Sequence, residues 1–263
     1  DQIEFYAPRR QGEDGEYFDE WSDDNIFILD WGGANGLRGG VEDVSPASWP
    51  QAQPVDAVSA SLHLEQDLEY HRGDFEYEDM QYSDRVPGEG WMWTYLLKKD
   101  SLRIPFDLQL PVQREASLEF RVKGASRDQS LLRITLNDVV LFEDTLASYD
   151  TTRLSIPVDP SAMKDGGNVL VFRNVGLIDC PPENPACSIE RIYVDWAELR
   201  YQRTPALLGG ALEFDPSIGP PPPARALLQI PSSESIRGVN LETGAELNGI
   251  VSNAGSAAMA LDG

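Results

Sequence analysis

The side chains able to do chemistry in this chain are few and widely spaced. Among 263 residues only two are cysteines, Cys180 and Cys187, and only two are histidines, His63 and His71. A thiolate nucleophile needs a base in contact and an electropositive setting. Here the cysteines sit in the proline loop CPPENPAC, over a hundred positions from either histidine. Six intervening residues are too many for a redox CxxC pair, and no further cysteine or neighbouring histidine completes a tetrahedral zinc site. The spacing predicts a Cys180–Cys187 disulfide, worth roughly 2–3 kcal/mol in the chain-entropy model and suited to an oxidising compartment. Two free thiols are the alternative. Carboxylates are plentiful, but no local motif singles out a pair for glycosidic acid–base work. The chain reads as non-enzymatic.

Aromatic side chains are the other candidates. Trp91, Trp93 and Tyr95 alternate in GEGWMWTYL, so a strand would turn all three to one face. Such a row either stacks on sugar rings or fills a core. Trp31 and Trp196 read as core residues, and Trp49, flanked by prolines, reads as the least buried.

Charge excludes whole classes of partner. The formal net charge is −23, and phosphate contacts need lysine and arginine clusters that this sequence lacks. An anionic membrane surface is disfavoured for the same reason. No apolar run approaches the roughly 20 residues that span a bilayer. The charge is uneven: residues 1–100 carry 23 acids and 7 bases, residues 101–203 carry 15 and 12, and residues 204–263 carry 6 and 2. The surplus thus lies at the front, where solubility, a basic partner or calcium would explain it. The first residue is Asp1, without a Met or an apolar leader, which reads as a mature or trimmed chain.

The elements that must position these residues are strands. LRIPFDLQLP, SLEFRVKGA, RLSIPVD and GGNVLVFRNVG alternate apolar and polar residues. LLRITLNDVVLFEDTL is a strand, an Asn137-Asp138 turn and a returning strand. SIERIYVDWAELRY closes the series, with Ile192, Val194 and Trp196 expected on one face and Tyr193, Asp195 and Ala197 on the other. PSAMKDGGN offers the only short helical turn. The pattern predicts an all-β, antiparallel jelly-roll sandwich over 60–203. An acidic, aromatic-rich β extension and linker over 1–59 precedes it, with 44–56 as a proline-bearing linker or extended crossover. A proline-rich hinge and a small strand pair over 204–263 follow.

Several phrases, taken in order, resemble the region before the catalytic domain in gingipain-like secreted bacterial cysteine peptidases. They are DQIEFYAP, YFDEWSDDNIFILDWGGANGLR, LHLEQDLEYH, GEGWMWTYL, RITLNDVVL, KDGGNVLVFRN and YVDWAELRYQRTPALLGGALEF. The peptidase domain's Cys-His pair and βαβ pattern are missing, so the chain looks like the non-catalytic front of such a protein, the alternative being a free-standing protein that kept only this part. The sandwich pattern also resembles galactose-binding-like carbohydrate-binding jelly rolls. That resemblance implies a structural calcium shared by carboxylates near the first strand and in the last. The matching positions are Glu65, Asp67 and Asp195, and convergent acids with oxygen ligands suit calcium. The acidic runs 13–25 and 74–84 lack the spacing of an EF-hand loop.

These resemblances imply a secreted or cell-surface bacterial module. It would position a peptidase domain of the same protein, or bind a surface ligand or glycan. A stand-alone calcium-dependent carbohydrate-binding module is the first alternative. A propeptide-like chaperone or inhibitor of the peptidase domain is the second.

Overall fold

The computed structural model describes residues 40–48, 53–70, 91–126, 129–177, 190–208, 212, 225–231, 236–240, 245–253 and 256–262. Among them there are strands and two 3-10 turns but no α-helix, and hence none long and apolar enough to cross a membrane. In chain order the first strands are β1 (Val41–Asp43), β2 (Gln53–Val55), β3 (Val58–Glu65), β4 (Glu69–Tyr70), β5 (Trp91–Met92) and β6 (Thr94–Leu97). Next come β7 (Ser101–Leu108), β8 (Ala116–Gly124), β9 (Ser130–Leu136), β10 (Val139–Leu146), β11 (Thr151–Val158), β12 (Gly166–Asn174) and β13 (Arg191–Arg203). The last are β14 (Arg225–Pro231), β15 (Gly238–Val239), β16 (Glu246–Asn248), β17 (Val251–Asn253) and β18 (Ser256–Asp262).

Residues 59–204 form one compact unit, and residues 1–58 with 205–263 form a second. The first unit is the antiparallel jelly-roll sandwich. Its four-stranded sheet runs β10-β9-β12-β7, and its five-stranded sheet runs β11-β8-β13-β3, with β6 also paired to β13. The alternating residues Leu118, Phe120 and Val122 of β8, Leu132, Ile134 and Leu136 of β9, and Leu170 and Phe172 of β12 fill the core between them. Phe120 sits at its centre, edge-on to Phe142 at 5.4 Å and to Phe172 at 6.2 Å. Such tilted aromatic pairs add to the stabilisation that burial alone provides.

Local chemistry sets the turns. Asn137 (φ 48°) and Asp138 (φ 70°) both occupy the left-handed region, as a two-residue hairpin between right-twisted strands requires. The Asn137 amide also donates to the Ala162 carbonyl at 2.8 Å and to Asn168 Oδ1 at 2.7 Å. The PSAMKDGGN turn is a 3-10 turn at Pro160–Ala162, capped by the Asp159 carboxylate accepting from the Ser161 backbone N–H.

In the second unit, β14 pairs antiparallel with β18 and parallel with β2, while β1 pairs parallel with β16. Val44, Val58, Leu228, Ile230 and Met259 form its buried core. The 44–56 stretch therefore contains strand β2 as well as a 3-10 turn at Pro46–Ser48.

Candidate functional site

Strand β13 positions most of the polar side chains of interest. Across the ladder to β8, Val194 faces Val122 and Trp196 faces Arg121, leaving Asp195 as the extra residue of a β-bulge. A bulge shifts the inside–outside phase of everything after it. Ile192 and Val194 line the core before it; Ala197, Leu199 and Tyr201 line it afterwards. Strict alternation placed Trp196 in the core and Ala197 opposite. The bulge reverses both, and half-buried Trp196 lies on the outward face.

That outward face is charged and largely desolvated. Arg121 Nη1 donates to Asp195 Oδ2 at 2.7 Å, and both side chains are buried, Asp195 to 1% exposure. Asp195 Oδ1 is buried too, with no hydrogen-bond partner among the described residues. His63 Nε2 lies 2.7 Å from Glu65 Oε2, and its Nδ1 lies 3.6 Å from Glu198 Oε2. Glu198 also accepts from Arg200 Nε at 2.6 Å, and Glu119 accepts from Arg153 Nε at 2.7 Å. Trp196 joins these groups: the His63 ring is tilted against it at 5.6 Å, and the Arg153 guanidinium lies over it at 5.3 Å.

The titrations follow from these contacts. Burial disfavours the charged His63 ring, but hydrogen bonds and charges from Glu198 and Glu65 outweigh it and raise its pKa to about 9. The His63 bond, helped by Arg200, holds Glu198 below the usual carboxylate range despite desolvation. Burial lifts Asp195 to about 7; the Glu65 and Asp67 charges add to that lift and Arg121 opposes it.

Do Glu65, Asp67 and Asp195 suit calcium? The three acids are near enough for Glu65 and Asp67 to act on Asp195, and Asp195 Oδ1 is an orphaned oxygen. However, the Glu65 carboxylate faces His63 and the Asp195 carboxylate faces Arg121. Calcium requires six to eight oxygens, and a guanidinium 2.7 Å from one of them repels a divalent ion. Among the described residues no group of three or more His, Cys, Asp or Glu is placed to hold a metal. As arranged, these residues do not fit calcium.

The three sequence-selected aromatics part company. The chain bends at Trp93, between β5 and β6, so the row is not one continuous strand. Trp93 enters the core at 8% exposure, whereas Trp91 and Tyr95 stay 44% and 39% exposed. Trp91 pairs with exposed Tyr70 across the β4–β5 ladder, ring centroids 5.2 Å apart. Tyr95 meets Tyr193 edge-on at 5.9 Å, and the Arg191 guanidinium lies 4.9 Å over its ring. Cys180, Cys187, His71, Trp31, Trp49 and the runs 13–25 and 74–84 lie outside the described residues.

Sequence reasoning missed His63, Glu198, Arg121 and Arg153 as partners. The alternating Glu119, Arg121 and Lys123 of SLEFRVKGA signalled a charged face, but the partners come from strands far along the chain.

No protein-family model matches the sequence, and a comparison with curated proteins found no match. In structure, dimeric latent PorU from Porphyromonas gingivalis is similar, with TM-score 0.55 and 12% identity, over 81% of this chain and 19% of PorU. At that identity the likeness shows the fold: an all-β sandwich also present within a much longer protein. The CBM36-1 domain of a multidomain xylanase from the hindgut metagenome of Trinervitermes trinervoides matches over 53% of this chain and 96% of its own, with 9% identity and TM-score 0.31. A carbohydrate-binding module CBM36 in complex with calcium and xylotriose matches over 53% of this chain and 98% of its own, with 12% identity and TM-score 0.29. Scores that low carry no argument about ligand or metal.

Proposed function

We propose that this chain is a non-catalytic binding module of an extracellular, PorU-like bacterial protein, and that it holds a glycan or surface ligand against the exposed aromatics at β4, β5 and β6. The observation that carries this reading is the Tyr70–Trp91 pair, with Tyr70 60% exposed. Exposed paired rings at a strand edge offer flat apolar area to a sugar face at little conformational cost. Tyr95, with Arg191 over its ring, supplies a second flat surface with charged donors.

His63 supports the non-catalytic part. A histidine flanked by two carboxylates and protonated up to about pH 9 is a poor proton acceptor at neutral pH. In this reading the module lies outside the cell, where Cys180 and Cys187 form a disulfide. Its role is to position a peptidase domain of the same protein. Mass analysis after alkylation without reduction tests the disulfide: neither cysteine takes up the label if it exists, and both do if it does not.

The decisive assay is glycan-array binding by the intact chain and by Trp91→Ala with Tyr95→Ala. The reading expects at least one glycan class bound by the parent and lost in the double variant, with unchanged thermal unfolding. A flat array for the parent, or binding that survives in the variant, overturns it.

A further inference from the structure

We propose that Arg121 is a built-in cation for the bulged Asp195 carboxylate, so that the closing strand of the sandwich is held without any metal ion. The geometry carries this. Asp195 is the unpaired residue of the β13 bulge, and Arg121 is the β8 residue opposite the next position, Trp196. The bulge therefore sets carboxylate and guanidinium side by side on the outward face, joined at 2.7 Å and both buried.

Acids crowd this point. Glu65 and Asp67 both act on Asp195, and such a cluster is where a divalent cation would otherwise be called for. A guanidinium fills the same electrostatic need. It stays charged at every accessible pH, is weakly hydrated, and tolerates burial better than an ammonium group. It also excludes a metal, because a second cation at Asp195 would be repelled across a few ångströms of poorly screened medium. The nearby Glu65 is engaged separately, by His63 at 2.7 Å.

The inference is independent of the glycan reading, because its tests use stability and metal content and need no ligand. Native mass spectrometry of the purified intact chain should show the metal-free mass; one tightly bound calcium per chain overturns the proposal. Thermal unfolding should have the same midpoint in millimolar calcium and in chelator. A ligand bound only by the folded state must raise that midpoint, so a rise of several degrees in calcium also overturns it. Arg121→Met, with its acids uncompensated, should melt lower and gain a calcium-dependent rise; a calcium-indifferent, fully stable variant contradicts the role given to the guanidinium. Should Arg121→Met fail to fold, Arg121→Lys keeps the charge and should fold and remain indifferent to calcium. A calcium-dependent rise in the lysine variant counts against the proposal.

Discussion

The two sheets of the sandwich share one core, but their outer faces are built differently. On the four-stranded sheet the outward residues alternate cleanly into solvent: Arg103, Pro105 and Asp107 of β7 are exposed. The Arg133–Glu143 ion pair joining β9 to β10 is exposed as well. On the five-stranded sheet Arg121, Lys123, Asp195 and Glu198 are all buried. The difference decides which charges matter. An exposed pair is screened and contributes little, whereas a desolvated charge that loses its partner is strongly destabilising. The bulge at Asp195 is where the second face acquires its character, because it turns a carboxylate and Trp196 outward in succession.

The core common to both sheets sets the scale for breaking this comparison. Phe120→Ala should cost about 3–5 kcal/mol in chemical denaturation, because Phe120 is fully buried between Phe142 and Phe172. A loss under about 1 kcal/mol would mean that the sheets do not share that core. On the five-stranded face, Arg121→Met should cost about 3 kcal/mol by leaving Asp195 buried and unpaired. Adding Asp195→Leu should restore most of it.

A pH titration separates the faces further. His63 has its folded pKa raised from 6.5 to about 9, so its contribution is complete below about pH 6.5 and is lost as pH climbs through 9. Asp195, raised to about 7, costs stability above that pH, and the cost is relieved as pH falls toward 3.8. Both groups lower stability as pH rises, Asp195 between about 3.8 and 7 and His63 between about 6.5 and 9; the melting midpoint should fall through the His63 window, and His63→Gln should flatten the slope there. An equal slope in the variant contradicts the assignment. The smallest effect belongs to the four-stranded face, where Arg133→Ala should leave the denaturation midpoint within error.

Much of the fold was legible from local pattern. The β9–β10 hairpin follows from Asn137-Asp138, and the alternations in SLEFRVKGA and GGNVLVFRN become β8 and β12, with Leu118, Phe120 and Val122 of β8 turned inward. Pairings set by distant contacts were not legible. β2 pairs parallel with β14, and β1 with β16, although the whole sandwich separates them in sequence. The bulge was hidden for another reason: RIYVDWAELRY alternates smoothly enough to read through, and only the unpaired Asp195 shows where the phase slips. Trp91 and Tyr95 were found among the site candidates, whereas Trp93 went inside because the chain bends there, which alternation cannot reveal. Glu65 and Asp195 are legible as convergent acids, but their partners His63 and Arg121 carry no spacing motif.

On the five-stranded face Arg121 and Asp195 form a buried internal pair, and a double-mutant cycle between them measures whether that pair holds the bulge. Chemical denaturation of the parent, Arg121→Met, Asp195→Leu and the double variant gives their coupling. A favourable coupling of about 1–3 kcal/mol is the predicted result for partners in contact. Additive effects, with a coupling near zero, would contradict it.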